Sequence, residues 1–189
     1  MLLASACGQP PPESMPAKGE KGVRVVVETP VGAVHVVRYD PGSLSFVTDS
    51  SKLAFLPFPA NWGFVPSTRM PYQEGRGFAP VQILVLGERL ETGDMVEVRP
   101  VGAVILSEKG KNRILVVSVP VDPALCNLVI EDYSDLLLKY PGVKESLEQW
   151  LRQWKGGPPA RVMDWKDGQY ATRFIHASMP KKKEEAKNN

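Results

Sequence analysis

The sequence predicts an α+β protein, a barrel or sandwich of short antiparallel strands followed by helices. Three observations carry that expectation. From Val23 to Ser118 the apolar residues fall in β-branched runs separated by turn signals. After Pro120 the apolar period lengthens from two to that of a helix. The chain of 189 residues, 43% hydrophobic and 23% charged, suits one domain able to bury a core without staples.

In order, the predicted strands are Val23 to Glu28, Val34 to Tyr39, Leu44 to Val47, Val81 to Leu86, Met95 to Val98, Gly102 to Leu106 and Arg113 to Val119. Breakers stand between them at Pro30-Val31-Gly32, Pro41-Gly42, Gly93-Asp94 and Lys109-Gly110-Lys111. Ser134-Asp135 is placed to cap a short helical turn ending at Pro141-Gly142. Val143, Leu147, Trp150, Leu151 and Trp154 then share one face of an amphipathic helix, stopped by Gly156-Gly157-Pro158-Pro159. Ala160 to Trp165 reads as a last strand, and Ala171, Phe174, Ile175 and Ser178 fit a last helix.

Composition excludes several classes. With Cys7 and Cys126 as the cysteines, neither a disulfide framework nor a Cys-rich zinc site is available. No run approaches the roughly 18 apolar residues of a membrane-spanning helix. With 23 Lys and Arg against 21 Asp and Glu, the net charge of +2 argues against a nucleic-acid partner.

The ends differ from the body. Met1 to Gly8 resembles the close of a bacterial lipoprotein signal, apolar then small residues before Cys7, without a basic start or a full apolar stretch. The expectation is a lipidated Cys7 in the cell envelope, the membrane being reached only through that lipid. The alternatives are an idle cysteine on a frayed end and a cytoplasmic protein. Residues 1–22 are thus expected to be signal remnant and tether, with Gln9 to Gly22 extended. Residues 23–179 form the domain, and 180–189, with Lys181-Lys182-Lys183-Glu184-Glu185, a solvated tail.

One segment is specific. Leu56-Pro57-Phe58-Pro59-Ala60-Asn61-Trp62-Gly63-Phe64-Val65-Pro66 resembles the Y-P-x-N-Y-G-F-I-P segment of soluble family I inorganic pyrophosphatases. Further likenesses follow in order. Gly93 to Gly102 is similar to P-G-x-V-I-x-V-R-P-I-G, Glu108 to Pro123 to E-G-x-D-x-K-I-I-A-V-P-x-D-P, and Ile130 to Leu136 to I-K-D-I-S-D-L. The resemblance covers about Val23 to Ser178. It implies an OB-like five-stranded antiparallel barrel with additional strands and C-terminal helices, and homo-oligomers, with a protein partner also open.

What the resemblance implies chemically is Mg²⁺-assisted transfer of a phosphoryl group to water by a cluster of carboxylates. The matching positions depart from it. The D-x-D-P-x-D signature falls on Gly77, Phe78, Ala79, Pro80, Val81 and Gln82, with all three aspartates replaced. A later metal aspartate matches Ser107, and the next Asn112 or Arg113. The lysine and glutamate of the second strand match His35 and Val37. An arginine falls near Asp49, the tyrosine of N-Y-G is Trp62, and the Tyr-Lys pair of the long helix is Trp154-Lys155. Glu28, Asn61, Glu108 and Lys155 survive.

These positions also have plain readings. Glu28 can line a polar cavity or keep an ion or ligand role. Glu108 and Lys109 can be a solvated hairpin turn. His35 and His176 stand singly. Trp62 and Trp154 can fill the former site, as neighbouring Phe78, Ala79 and Val37 suggest, or wall a new ligand. The sequence therefore predicts a pyrophosphatase-like binding or scaffold module without catalytic residues, metal or cofactor. The alternative is a Mg²⁺-dependent diphosphatase of low activity or rearranged site.

Overall fold

A computed structural model describes residues 10–53, 56–71, 78–108, 110–153 and 160–180 of the chain. Among the described residues there are eight strands: β1 (Val23–Thr29), β2 (His35–Asp40), β3 (Ser45–Leu53), β4 (Asn61–Pro71), β5 (Phe78–Val85), β6 (Met95–Glu108), β7 (Lys111–Pro120) and β8 (Arg161–Asp167). The helices are α1 (Tyr133–Leu138), α2 (Pro141–Gln153) and α3 (Gly168–Ser178).

β1 closes the barrel. It pairs antiparallel with β4 through Val26↔Phe64 and Val27↔Gly63, and with β6 from Val23↔Val98 to Val26↔Met95. The ring runs β1-β4-β5-β7-β6 and back to β1, with β8 added outside on β6. Closure leaves β1 without a free edge, so its run of valines is buried. This is the expected OB-like five-stranded barrel, with one difference. β5 and β7 pair parallel, Ile83 opposite Val116 and Val85 opposite Ser118, so the ring is mixed. The β6–β7 hairpin causes it: β6 is held by β1 on one side, and β7 comes back beside β5 in the same sense.

Two strands differ from their sequence reading. Met95 to Val98 and Gly102 to Leu106 belong to one 14-residue strand, β6. Its register against β7 shifts between Pro100 and Gly102, where proline has no N–H for the ladder. β4 carries Gly63 and Pro66, breakers that hide an 11-residue strand from propensity. Gly63 is required by contact: a Cβ there would lie 2.1 Å from the carbonyl oxygen of Val26.

The helices cover two sides of the barrel. Leu147, Trp150 and Leu151 of α2 pack on Trp62, Leu84, Leu106 and Val117. Ala171 and Ile175 of α3 pack with Val25, Val65, Ile83 and Val116. The cap of α1 is Asp132, whose carboxylate accepts from the N–H groups of Ser134 and Asp135, rather than the expected Ser134-Asp135. Asp135 instead accepts from Glu131 N at 2.7 Å and pairs with Lys139 at 2.7 Å.

The segment before β1 also differs from the extended tether its composition suggests. Pro12–Ser14 forms a 3-10 turn, Ala17 is buried, and Arg24 N donates to Ala17 O at 2.8 Å. Ser67 Oγ donates to Met15 O at 2.9 Å, and Glu97 accepts from the N–H groups of Glu20 and Lys21. Small and proline residues let this segment lie flat on the barrel, where backbone groups make the contacts.

Gly63→Ala forces β1 and β4 apart at the closure. It is expected to lower stability by about 3 kcal/mol or more, or to prevent folding, as read by denaturant titration.

Candidate functional site

β1 ends in two polar residues that are fully or nearly buried, Glu28 and Thr29. They do the work of a neighbouring strand for β2, which pairs with β3 in its own hairpin. Thr29 Oγ1 donates to Val37 O at 2.8 Å and accepts from Val37 N at 3.0 Å. Glu28 Oε1 accepts from Tyr39 N at 2.9 Å. These three bonds seat Arg38 and Tyr39 at the barrel mouth.

There they line a cavity of about 790 Å³ with Glu28, Phe64, Thr68 and Gln82, while Glu13 comes from the docked N-terminal segment. Glu28 is 4% exposed, and its second oxygen, Oε2, is buried without a hydrogen-bond partner. Burial pushes its carboxyl above the ordinary 4.5, against the opposing pull of Arg38, the Tyr39 N–H and Arg113. Burial and the Glu13 carboxylate beside it push the Tyr39 phenol up to about 12.

Behind the cavity stands Trp62, 2% exposed. Its Nε1 donates to Gln82 Oε1 at 2.6 Å, and Arg38 Nη1 reaches the same oxygen at 3.4 Å. The guanidinium carbons of Arg38 and Arg113 lie 6.0 and 5.4 Å from the indole centre. On its other side Trp62 meets Phe58 and Trp150, with ring centroids at 6.1 and 6.2 Å. Two arginines, an indole and a neutral amide thus form one polar-aromatic stack.

Of the positions singled out in the sequence, the cavity brings together Glu28 and Gln82. Ala79 lies on β5 opposite Met70. Asn61 is a clasp: its Oδ1 accepts from Val31 N and Leu90 N, and its Nδ2 donates to Glu88 O at 2.9 Å. Ser107 and Glu108 sit half-buried at the end of the β6–β7 hairpin, opposite Asn112 and Lys111. His35 is exposed at the start of β2. Cys7, Gly77, Trp154 and Lys155 lie outside the described residues.

Sequence reasoning missed Arg38, Tyr39 and Glu13. Alternation could not place both of the first two, which are neighbours on β2; their position follows from the bonds that Thr29 and Glu28 make to Val37 and Tyr39. Glu13 had no sequence signal, because its place depends on the docking of a proline-rich segment.

A closed OB-like barrel with a polar mouth and helices against its wall defines the class of this protein. The inorganic pyrophosphatase family model matches residues 25–183, and the chain belongs to that family. The inorganic pyrophosphatase of Brucella melitensis is 28% identical over 181 residues, 91% of this chain and 92% of that one. The crystal structure of the Thermus thermophilus inorganic pyrophosphatase overlays with a TM-score of 0.77 at 25% identity, covering 90% of this chain and 97% of that one. An inorganic pyrophosphatase structure from Coxiella burnetii, 24% identical, shares the fold with a TM-score of 0.74 over 87% of this chain and 98% of that one.

The described residues at the mouth do not make up a donor set that fits the Mg²⁺ ions implied by the family resemblance. Mg²⁺ is held by carboxylates and other hard oxygens in near-octahedral order. Among the described residues no group of three or more His, Cys, Asp and Glu side chains is placed to hold a metal. Gln82 Oε1 is already occupied by Trp62 and Arg38, and Arg38 and Arg113 bring positive charge toward Glu28.

The raised Glu28 carboxyl has a stability consequence. The unfolded chain releases this proton near 4.5 while the folded chain still holds it. Stability therefore falls as pH rises from about 4.5 through the raised folded value, and stays lower above it. Glu28→Gln removes a buried charge without changing shape. It is expected to stabilise the protein by about 1–3 kcal/mol at pH 8 and to leave it nearly unchanged at pH 4, in paired thermal melts.

Proposed function

We propose that this chain is a non-hydrolysing member of the inorganic pyrophosphatase family, a binding or scaffold module that works without metal. One observation carries the reading: the Gln82 side chain, at a position the family resemblance assigns to a metal-binding aspartate, accepts from Trp62 Nε1 at 2.6 Å. A neutral amide held by the protein's own donors replaces a charged ligand. Ala79 and Ser107, at two further such positions, carry no charge. Hydrolysis of diphosphate at neutral pH requires divalent ions to offset its charge and to generate hydroxide from water.

In this reading Arg38, Arg113 and the buried Trp62 supply fixed positive charge and apolar mass in place of ions. Self-association, common among proteins of this fold, belongs to the same reading. So does a lipid on Cys7, supported by the small residues Ala4-Ser5-Ala6 before it.

Calorimetry with MgCl₂ and a phosphate-release assay on diphosphate test the reading together. The expected outcome is no saturable heat with Mg²⁺ and no metal-dependent release. Turnover abolished by Glu28→Ala or Glu108→Ala would instead establish a rebuilt enzyme. Introducing Gly77→Asp, Ala79→Asp and Gln82→Asp together is expected not to restore activity, since Ser107 and Trp62 remain. For Cys7, mass spectrometry of protein made in a bacterium from the full gene is expected to show a diacylglycerol-modified cysteine with nothing before it. An unmodified chain extending through Cys7 would contradict the lipid.

A further inference from the structure

The mouth cavity has polar groups the metal-free reading leaves unused. Glu28 is its buried floor, and Glu28 Oε2 has no hydrogen-bond partner. Glu13 Oε2 and the Tyr39 hydroxyl are buried atoms without a hydrogen-bond partner too, and both residues line the same cavity. The rings of Tyr39 and Phe64 stand on its wall with centroids 6.0 Å apart. Arg69 is exposed at the rim and makes no ion pair among the described residues.

Burial gives the cavity a direction: Glu28 is buried, Glu13, Arg38 and Tyr39 are half-buried, and Arg69 is exposed at the mouth. Resting on the binding-module reading, we propose that this cavity takes a small zwitterion. Its primary ammonium sits against Glu28, Glu13 and Tyr39, and its acidic end on Arg69.

The chemistry selects this class. An ammonium carries three N–H donors and no acceptor, matching a floor of two carboxylates, with the Tyr39 phenol oxygen beside Glu13. Aromatic faces favour a cation further. A free polyanion such as diphosphate would press its charge on Glu28 and Glu13 with no ion between. A simple amine would leave Arg69 unanswered. A ligand charged at both ends satisfies floor and rim together. The acidic end can be a carboxylate or a phosphate, both of which a guanidinium binds in bidentate fashion.

The test is metal-free calorimetry at pH 8 on the full chain with 6-aminohexanoate and 2-aminoethyl phosphate. Hexylamine and hexanoate serve as analogues lacking one end. At least one zwitterion is expected to bind, at least about tenfold more tightly than either single-ended analogue. Whichever zwitterion wins identifies the acid. Glu28→Gln, expected to fold with raised stability, should weaken that zwitterion at least about tenfold, and Tyr39→Phe should weaken it less. Arg69→Ala should bring its affinity down to that of hexylamine. Absence of binding by both zwitterions, or equal binding by Glu28→Gln, overturns the proposal. Diphosphate with MgCl₂ in the same cell reports on the metal-free reading separately. Heat there contradicts that reading, whatever the zwitterions do.

Discussion

The hydrogen bond from Tyr39 N to Glu28 Oε1 organises the mouth of this barrel. β1 is committed on both edges, to β4 and to β6, so at its last residues the chain has only side chains to offer a further strand. Glu28 and Thr29 take that role, and β2 is hung on their oxygens. One oxygen of a buried carboxyl is thereby fixed, and the other is left buried without a hydrogen-bond partner. The positions of Arg38 and Tyr39, and through Arg38 its contact with Gln82, follow from this attachment.

That arrangement costs stability. A carboxyl with 4% exposure and a single backbone donor is pushed by burial above its ordinary pKa. A glutamine would keep the bond to Tyr39 N and shed the charge. Retaining glutamate here is the kind of local expense found where a site works, since binding groups are often poised at the expense of the fold. The aromatic stack behind it compensates in packing. Trp62, Phe58 and Trp150 join the barrel wall to α2, and the indole N–H also satisfies the half-buried Gln82 amide. Trp62 and Gln82 thus form one hydrogen-bonded wall behind the cavity, packed from the far side by Phe58 and Trp150.

Much of the fold was legible in the sequence, for reasons that particular elements show. β1 and β7 are β-branched runs buried on closure, and α2 has a clear apolar stripe, so pattern and packing agree. β4 was hidden because Gly63 and Pro66 answer to tertiary contacts, the approach of Val26 O above all, and not to local propensity. The parallel β5–β7 pair was hidden because pairing order is a property of the closed ring. At the site, Glu28 and Gln82 were readable by their place in motifs. Asn61 was readable as a position but not as a clasp, since its partners at Val31, Glu88 and Leu90 come from separate loops. Glu13 depends on a segment whose composition suggests a tether, and whose docking rests on backbone groups that composition does not report.

The central claim is that Glu28 is a buried carboxyl serving the protein and its ligand without a metal. Carbon-detected magnetic resonance of the Glu28 carboxyl, followed through a pH titration with and without MgCl₂, measures that directly. The account predicts a midpoint above the ordinary glutamate value, and the same curve in both solutions. A midpoint at or below the ordinary value, or one driven down by Mg²⁺, would contradict it.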